Sequence, residues 1–235
     1  RRLGVDTLSE QISEQQKRKA MSLVTENNLE KHLANSVQPA MNTKDDDAKA
    51  EAKPARGGLI DEKLFNSRAI TIFGEINDKL ARSVTERLLA LAAENDEPIS
   101  IYISSPGGHV ESGDVVYDII KFIKPVVRVI GTGWVASAAT TIYLAAEKEN
   151  RFSLPNTRFL VHQPSGGSRG SASDIAIQAQ EIVKMRARIN KLISDETGQP
   201  LERVAKDTDR DYWMSADEAI EYGIVSRIVK SASDI

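Results

Sequence analysis

From residue 59 onward the sequence predicts an α/β fold. Short apolar or alternating runs of strand length recur at Ala69–Gly74, Ile99–Ile103 and Val126–Ile130. Helix-spaced stretches separate them, and the links are short and punctuated by proline or glycine. Repeated strand–helix alternation of this kind favours helices packed around a partly parallel sheet.

Residues 1–58 have a different texture. Thr7 and Glu10 stand at capping-box spacing, where each side chain can satisfy an exposed backbone donor at a helix start. Leu8, Ile12, Met21, Val24, Leu29 and Leu33 are spaced through the polar run that follows. Residues 1–41 therefore read as a helical or partly disordered extension. Residues 42–58 contain Asp45-Asp46-Asp47, Pro54 and Gly57-Gly58 and few large apolar groups, so burial repays little of their ordering entropy. They read as a flexible linker to a globular domain over 59–235.

Within that domain, Val84, Leu88 and Leu91 share one face of a helix expected over Ala81–Ala93, which should end before Pro98. The second strand runs into Ser104-Ser105-Pro106-Gly107-Gly108, a loop whose glycines open backbone shapes closed to bulkier residues. Val110–Phe122 is the next helix, stopped by Lys124-Pro125. A helix from about Ser137 to Ala146 and a strand near Phe159–His162 follow. A long helix over roughly Ala172–Glu196 carries Ile175, Ile182, Met185, Ile189, Leu192 and Ile193 as an apolar stripe, which either its own core or a neighbouring subunit would cover. Ser215 and Glu218 repeat the capping-box spacing before a short helix ending near Gly223, and Ile224–Val229 closes the pattern as a strand.

Charge and composition narrow the function classes. There are 31 Lys plus Arg against 34 Asp plus Glu, a formal net charge of −3, so no overall basic field attracts nucleic acid. The lack of cysteine excludes disulfides, thiol catalysis and cysteine metal sites, and suits a reducing compartment. No run approaches the roughly 20 apolar residues that span a membrane, and no apolar signal core follows Arg1-Arg2. A cytoplasmic address is the expectation.

Three residue types in order suggest hydrolysis. Ser137 follows the glycine-rich Gly131-Thr132-Gly133 turn and opens a helix, where unpaired amides favour developing negative charge; a serine there also serves as a simple cap. His162 ends an apolar strand and is the best candidate base, since imidazole can take a serine proton near neutral pH. Asp211 could orient that ring, with Asp207 and Asp209 as local competitors. The amides of Gly108 and Ala138 could together receive an oxyanion. The surroundings of Ser137 lack the usual Gly-x-Ser-x-Gly elbow, and no phosphate-loop pattern supports ATP binding.

At these residues the chain resembles the proteolytic subunit of the ATP-dependent Clp protease. The resemblance rests on Ser105-Pro106-Gly107-Gly108, Ala136-Ser137-Ala138, Arg151–Arg158, His162-Gln163-Pro164-Ser165-Gly166-Gly167, and Asp207–Asp211 followed by Met214-Ser215. It implies Ser137 as nucleophile, His162 as base and acid, Asp211 as orienting acid, and Gly108 and Ala138 as oxyanion donors. It also implies a crotonase-like Clp protease fold with a long handle helix, and two stacked heptameric rings enclosing the sites. Gly166 and Gly167 would lie in a strand beside the substrate, and Tyr102 and Phe122 match aromatic positions of a pocket that docks an AAA+ unfoldase. Substrates would be unfolded proteins and peptides, and cleavage would need neither metal nor cofactor.

The chain departs from that family pattern at Ala138, where methionine is usual, at Ser100 in the docking pocket, and before Leu64-Phe65, where the usual gate segment is not recognisable. The expectation is a cytoplasmic serine endopeptidase of a self-compartmentalised ring. An inactive or regulatory subunit of a mixed ring, a crotonase-like acyl-coenzyme A enzyme and a protein-binding scaffold are the alternatives.

Overall fold

The computed structural model describes residues 56–235. The extension expected at 1–41 lies outside the described residues, as does the expected linker up to residue 55. Helix α1 (Arg56–Asn66) opens the described part and takes in Gly57-Gly58, the pair expected to close that linker.

Three parallel strands found the sheet. β1 (Ala69–Phe73) pairs with β2 (Ile99–Ser105), Ala69 opposite Ser100, and β2 pairs with β3 (Val127–Ala136), Ile99 opposite Val127. β2 buries Ile99, Ile101, Ile103 and Ser105 and half-exposes the residues between them, the period-two pattern of a strand with one fully covered face. Each such isoleucine contributes about 1.5–3 kcal/mol by leaving water.

β3 then divides its outer edge. Val129–Gly131 pair with β4 (Arg151–Ser153), whereas Trp134–Ala136 pair with β5 (Arg158–Val161), both in parallel. Gly131 ends the first pairing and is needed for close approach, because a Cβ there would stand 3.2 Å from both Phe159 and Val135. β6 (Tyr212–Ser215) joins β5 in antiparallel fashion, and β7 (Arg227–Ile228) extends the sheet beyond β4.

This topology corrects the expected crotonase-like fold. The strands build one mixed, mainly parallel sheet in the order β1-β2-β3-β4-β7, with the β5–β6 pair branching off it and helices flanking it. The branch arises from length: β3 has 10 residues and β4 only 3, so one edge serves two short strands in succession.

The helices follow their caps. α2 (Asp78–Glu94) starts at Asn77, whose side chain accepts from the Leu80 amide, and buries Ala81, Val84, Leu88 and Leu91. α3 (Val110–Phe122) buries Gly113 against Ala138 of the six-residue α4 (Ala138–Tyr143), all of which is buried. The long α5 (Ala172–Thr197) is capped by Ser171 and ends at Gly198 in the left-handed region. α6 (Leu201–Asp207) follows Pro200, and α7 (Ala216–Tyr222) has the expected Ser215–Glu218 capping box and ends at Gly223.

Four of these elements, α1, β4, α6 and β6, have no counterpart in the sequence expectations. The closing strand expected over Ile224–Val229 narrows to β7, because the amides of Ile224 and Val225 are committed to Ala219 O at the end of α7. Among the described residues no helix is long and apolar enough to cross a membrane.

Candidate active site

Ser137 stands where β3 gives way to α4, with φ +58°. A non-glycine residue there is strained by roughly 1–3 kcal/mol, and such outliers gather at functional sites because their surroundings over-determine them. The surroundings are visible here. The Ser137 amide donates to Leu160 O at 3.0 Å, and Thr140 Oγ1 lies 3.0 Å from Val135 O and 2.9 Å from Leu160 O. The elbow is thereby bonded to both β3 and β5.

Sheet register brings the other two residues to it. In the antiparallel β5–β6 pair Val161 faces Tyr212, so the next residues outward are His162 and Asp211. His162 Nε2 is 2.8 Å from Ser137 Oγ, and its Nδ1 is 2.8 Å from Asp211 Oδ1. A carboxylate can only accept, so Nδ1 carries the proton and Nε2 accepts from the serine hydroxyl. The side chain of Asp211 is 64% exposed, so water screens its attraction for the ring in the single chain.

The rival carboxylates are engaged elsewhere. Asp207 accepts from the Tyr222 hydroxyl at 3.1 Å and lies 3.5 Å from Arg203, and Asp209 accepts from Arg186 at 3.1 Å. Burial, followed by the Asp207 charge, raises the Tyr222 phenol well above its ordinary range. Of the three aspartates left open in the sequence, Asp211 is the one within hydrogen-bond distance of His162.

Gly107 packs against this elbow, and Gly108 against Ile76. A Cβ on Gly107 would stand 2.6 Å from Ala136 O and 2.7 Å from Ser137 Cβ, and one on Gly108 would stand 2.2 Å from Ile76 O. Both have positive φ, so glycine is required on two grounds. The neighbouring bridge uses the Gly107 carbonyl and the His109 amide, with Ile76 N–H donating to Gly107 O at 2.8 Å and His109 N–H to Ile76 O at 2.9 Å. The Gly108 and Ala138 amides donate to no acceptor among the described residues. The Ala138 amide directly follows Ser137, and a free amide next to a nucleophile is what an oxyanion of acyl transfer needs.

A narrow cleft of about 20 Å³ adjoins the serine, and Val110, Ala138, Thr141, Ile189 and Ile193 are among its walls. Its lining includes no charged carboxylate or lysine. Neither Gly107's contact with Ser137 nor the place of the α5 isoleucines in this site is among the sequence expectations. The apolar stripe was the available signal for the latter, but periodicity does not say which of its residues meet a cleft.

The remaining expected site residues are dispersed. Gly166 and Gly167 are exposed and lie in coil rather than in the strand that the resemblance implied, and among the described residues no strand pairs with this segment. Tyr102 is half-buried against the small cluster of Ile130, Phe152 and Val229, whereas Phe122, at the end of α3, is 80% exposed. Among the described residues no three His, Asp or Glu side chains converge as a metal site would require.

Comparison with known proteins identifies the family and the fold. The sequence profile of the Clp protease family matches residues 53–232. The ATP-dependent Clp protease proteolytic subunit 3 of Rhizobium etli is 60% identical over 195 residues, which cover 83% of this chain and 100% of the relative. Subunit 2 of Pseudomonas aeruginosa is 46% identical over 83% of this chain and 98% of its own. The solved structure of ClpP1 from Listeria monocytogenes superposes with a TM-score of 0.68 at 54% identity, covering 74% of this chain and 98% of that one. Its α/β fold is the one seen here, which is the second ground for setting aside the crotonase-like expectation.

Proposed function

The chain belongs to the Clp protease family, and we propose that it is a serine endopeptidase that cleaves unfolded proteins and peptides within a ring assembly in the cytoplasm. The observation that carries this reading is the unbroken chain from Asp211 through His162 to Ser137, with 2.8 Å at each step. Ser137 Oγ attacks the peptide carbonyl while His162 Nε2 takes its proton. The oxyanion is received by the Gly108 and Ala138 amides. His162 then protonates the departing amine, and water, deprotonated by the same ring, releases the acyl group. Asp211 holds the ring in the tautomer that leaves Nε2 free to accept and stabilises the imidazolium.

The names of the relatives support an ATP-dependent proteolytic assembly, in which an AAA+ unfoldase supplies extended chains and Tyr102 and Phe122 belong to its docking surface. Gly166 and Gly167 would then hold substrate backbone. An acyl-coenzyme A enzyme of the crotonase class loses its support with the fold, and would not need the Ser137–His162–Asp211 alignment.

Ser137→Ala is the test. It should keep the assembly mass, abolish labelling by a fluorophosphonate, and lower peptide cleavage about a thousandfold or more. Undiminished cleavage by the purified variant would refute the assignment. Wild-type chain that labels only after mixing with a second subunit would instead identify a mixed ring.

A further inference from the structure

A charge cluster around one buried arginine, outside the triad, connects the helix that starts at the nucleophile to the helix that walls the adjoining cleft. Arg151, the first residue of β4, is 1% exposed, yet every nitrogen of its guanidinium has an acceptor. Nε donates to Ala146 O at 2.7 Å and Nη2 to Leu144 O at 3.0 Å. Nη1 donates to Glu196 O at 2.8 Å, and Nη2 also meets the Glu196 carboxylate. Leu144 and Ala146 lie just past the end of α4, whose last carbonyls have no partner within the helix. Glu196 lies in the last turn of α5.

The cluster reaches a third helix. Glu196 Oε1 accepts from the Tyr117 hydroxyl at 2.9 Å and lies 3.0 Å from Lys121 Nζ, both on α3. Burial, reinforced by Glu196, raises the Tyr117 phenol well above its ordinary range, so it remains a donor. Tyr143, the last residue of α4, donates to Phe152 O at 2.8 Å, and burial likewise keeps its phenol protonated.

A buried ion pair is poor value as pure stabilisation, because desolvation opposes its attraction and apolar replacements are often as stable. Its geometry has a clearer consequence. With six residues at 1.5 Å each, α4 is only about 9 Å long, so displacing its end displaces Ser137 and Ala138 at its start. α5 carries Ile189 and Ile193, which wall the cleft beside that serine. Resting on the reading of Ser137 as nucleophile, we propose that Arg151 and Glu196 are positioning residues: they hold the nucleophile elbow on α4 at a set distance from the substrate-side wall on α5.

The full-length chain tests this with two variants. Glu196→Gln should lower Tm, and amide exchange should quicken in 138–144 and 189–197 together. Fluorophosphonate labelling of Ser137 should slow roughly tenfold, the scale of a sub-ångström misplacement. Val84→Ala, in the core face of α2 and outside this cluster, should lower Tm comparably by opening a cavity while leaving labelling at the wild-type rate. Labelling that slows equally in the two variants, or exchange that quickens in 189–197 alone, would overturn the proposal. Wild-type chain that does not label at all defeats the nucleophile reading instead, and the paired exchange then decides by itself whether the two helices are coupled.

Discussion

The two ends of α5 differ in what holds them. Every residue from Ala172 to Glu181 is exposed, Ile175 at 45% and Ile177 at 56% included, and that end is fixed by the Ser171 cap. At the other end Ile189, Asn190, Ile193 and Thr197 are buried, and Glu196 joins the Arg151 cluster. One helical pattern thus covers two situations. The second half is part of the core and of the cleft beside Ser137, whereas the apolar residues of the first half are not covered by any of the described residues. Apolar periodicity identifies a face but not what covers it.

Removing a side chain from the buried half should have the largest effect. Ile193 is 3% exposed and lies in both the main core and the wall of the cleft. Ile193→Ala should cost about 2–5 kcal/mol by lost burial and cavity formation, read from denaturant unfolding. A cost below about 1 kcal/mol would erase the distinction between the two halves.

Asn190 extends the comparison to the acid loop. Its side-chain oxygen accepts from Thr208 Oγ1 at 2.8 Å, Thr208 O accepts from the Gln163 amide, and the Gln163 side chain donates to Asp209 O at 2.7 Å. The loop before Asp211 is therefore bonded both to α5 and to the residue after His162. Asn190→Ala should cost about 1–3 kcal/mol and slow peptide cleavage several-fold. A stability loss with unchanged cleavage would confine Asn190 to the core.

How much of this was legible in the sequence follows the range of each interaction. Local signals read well: the β2 alternation, the Ser215–Glu218 box, and a serine opening a helix after a glycine turn. β6 was missed because Tyr212–Ser215 is strand only through its long-range pairing with β5, and that same pairing places Asp211 beside His162. Three-residue β4 is too short to display a period. Asp207 and Asp209 could be set aside only once Tyr222, Arg203 and Arg186 were seen to engage them. The strained φ of Ser137 has no sequence signature, since its cause is the bonding of Leu160 and Thr140 around it.

The exposed half should respond in assembly rather than in folding. Ile177→Ser combined with Val183→Ser removes side chains that are 56% and 66% exposed. Each change should move the unfolding free energy by no more than about 0.5 kcal/mol. Under the ring proposal the assembly mass should fall, because these residues would be covered by another subunit. Intact assembly with unchanged unfolding would show that this face is free in the working protein.

The smallest effect expected is at the first turn, where the sign with pH can be worked out. Asp174 Oδ2 accepts from the Ser171 hydroxyl at 2.7 Å and from its amide at 3.2 Å, while the Asp174 amide donates to Ser171 Oγ at 3.2 Å. The Ser171 hydroxyl, then its amide, hold the Asp174 carboxyl below its ordinary value of 3.8. Because the folded value is the lower one, the contribution is complete above the ordinary value and is lost as pH falls through the folded one. Acidification through that range should quicken intrinsic-rate-corrected amide exchange at residues 173–175 before it affects 189–197. Ser171→Ala should produce the same fraying at neutral pH, roughly fivefold, as expected for a lost cap. If 173–175 remain protected in that variant, something other than the cap holds this end of α5, and the contrast between its halves must be redrawn around that contact.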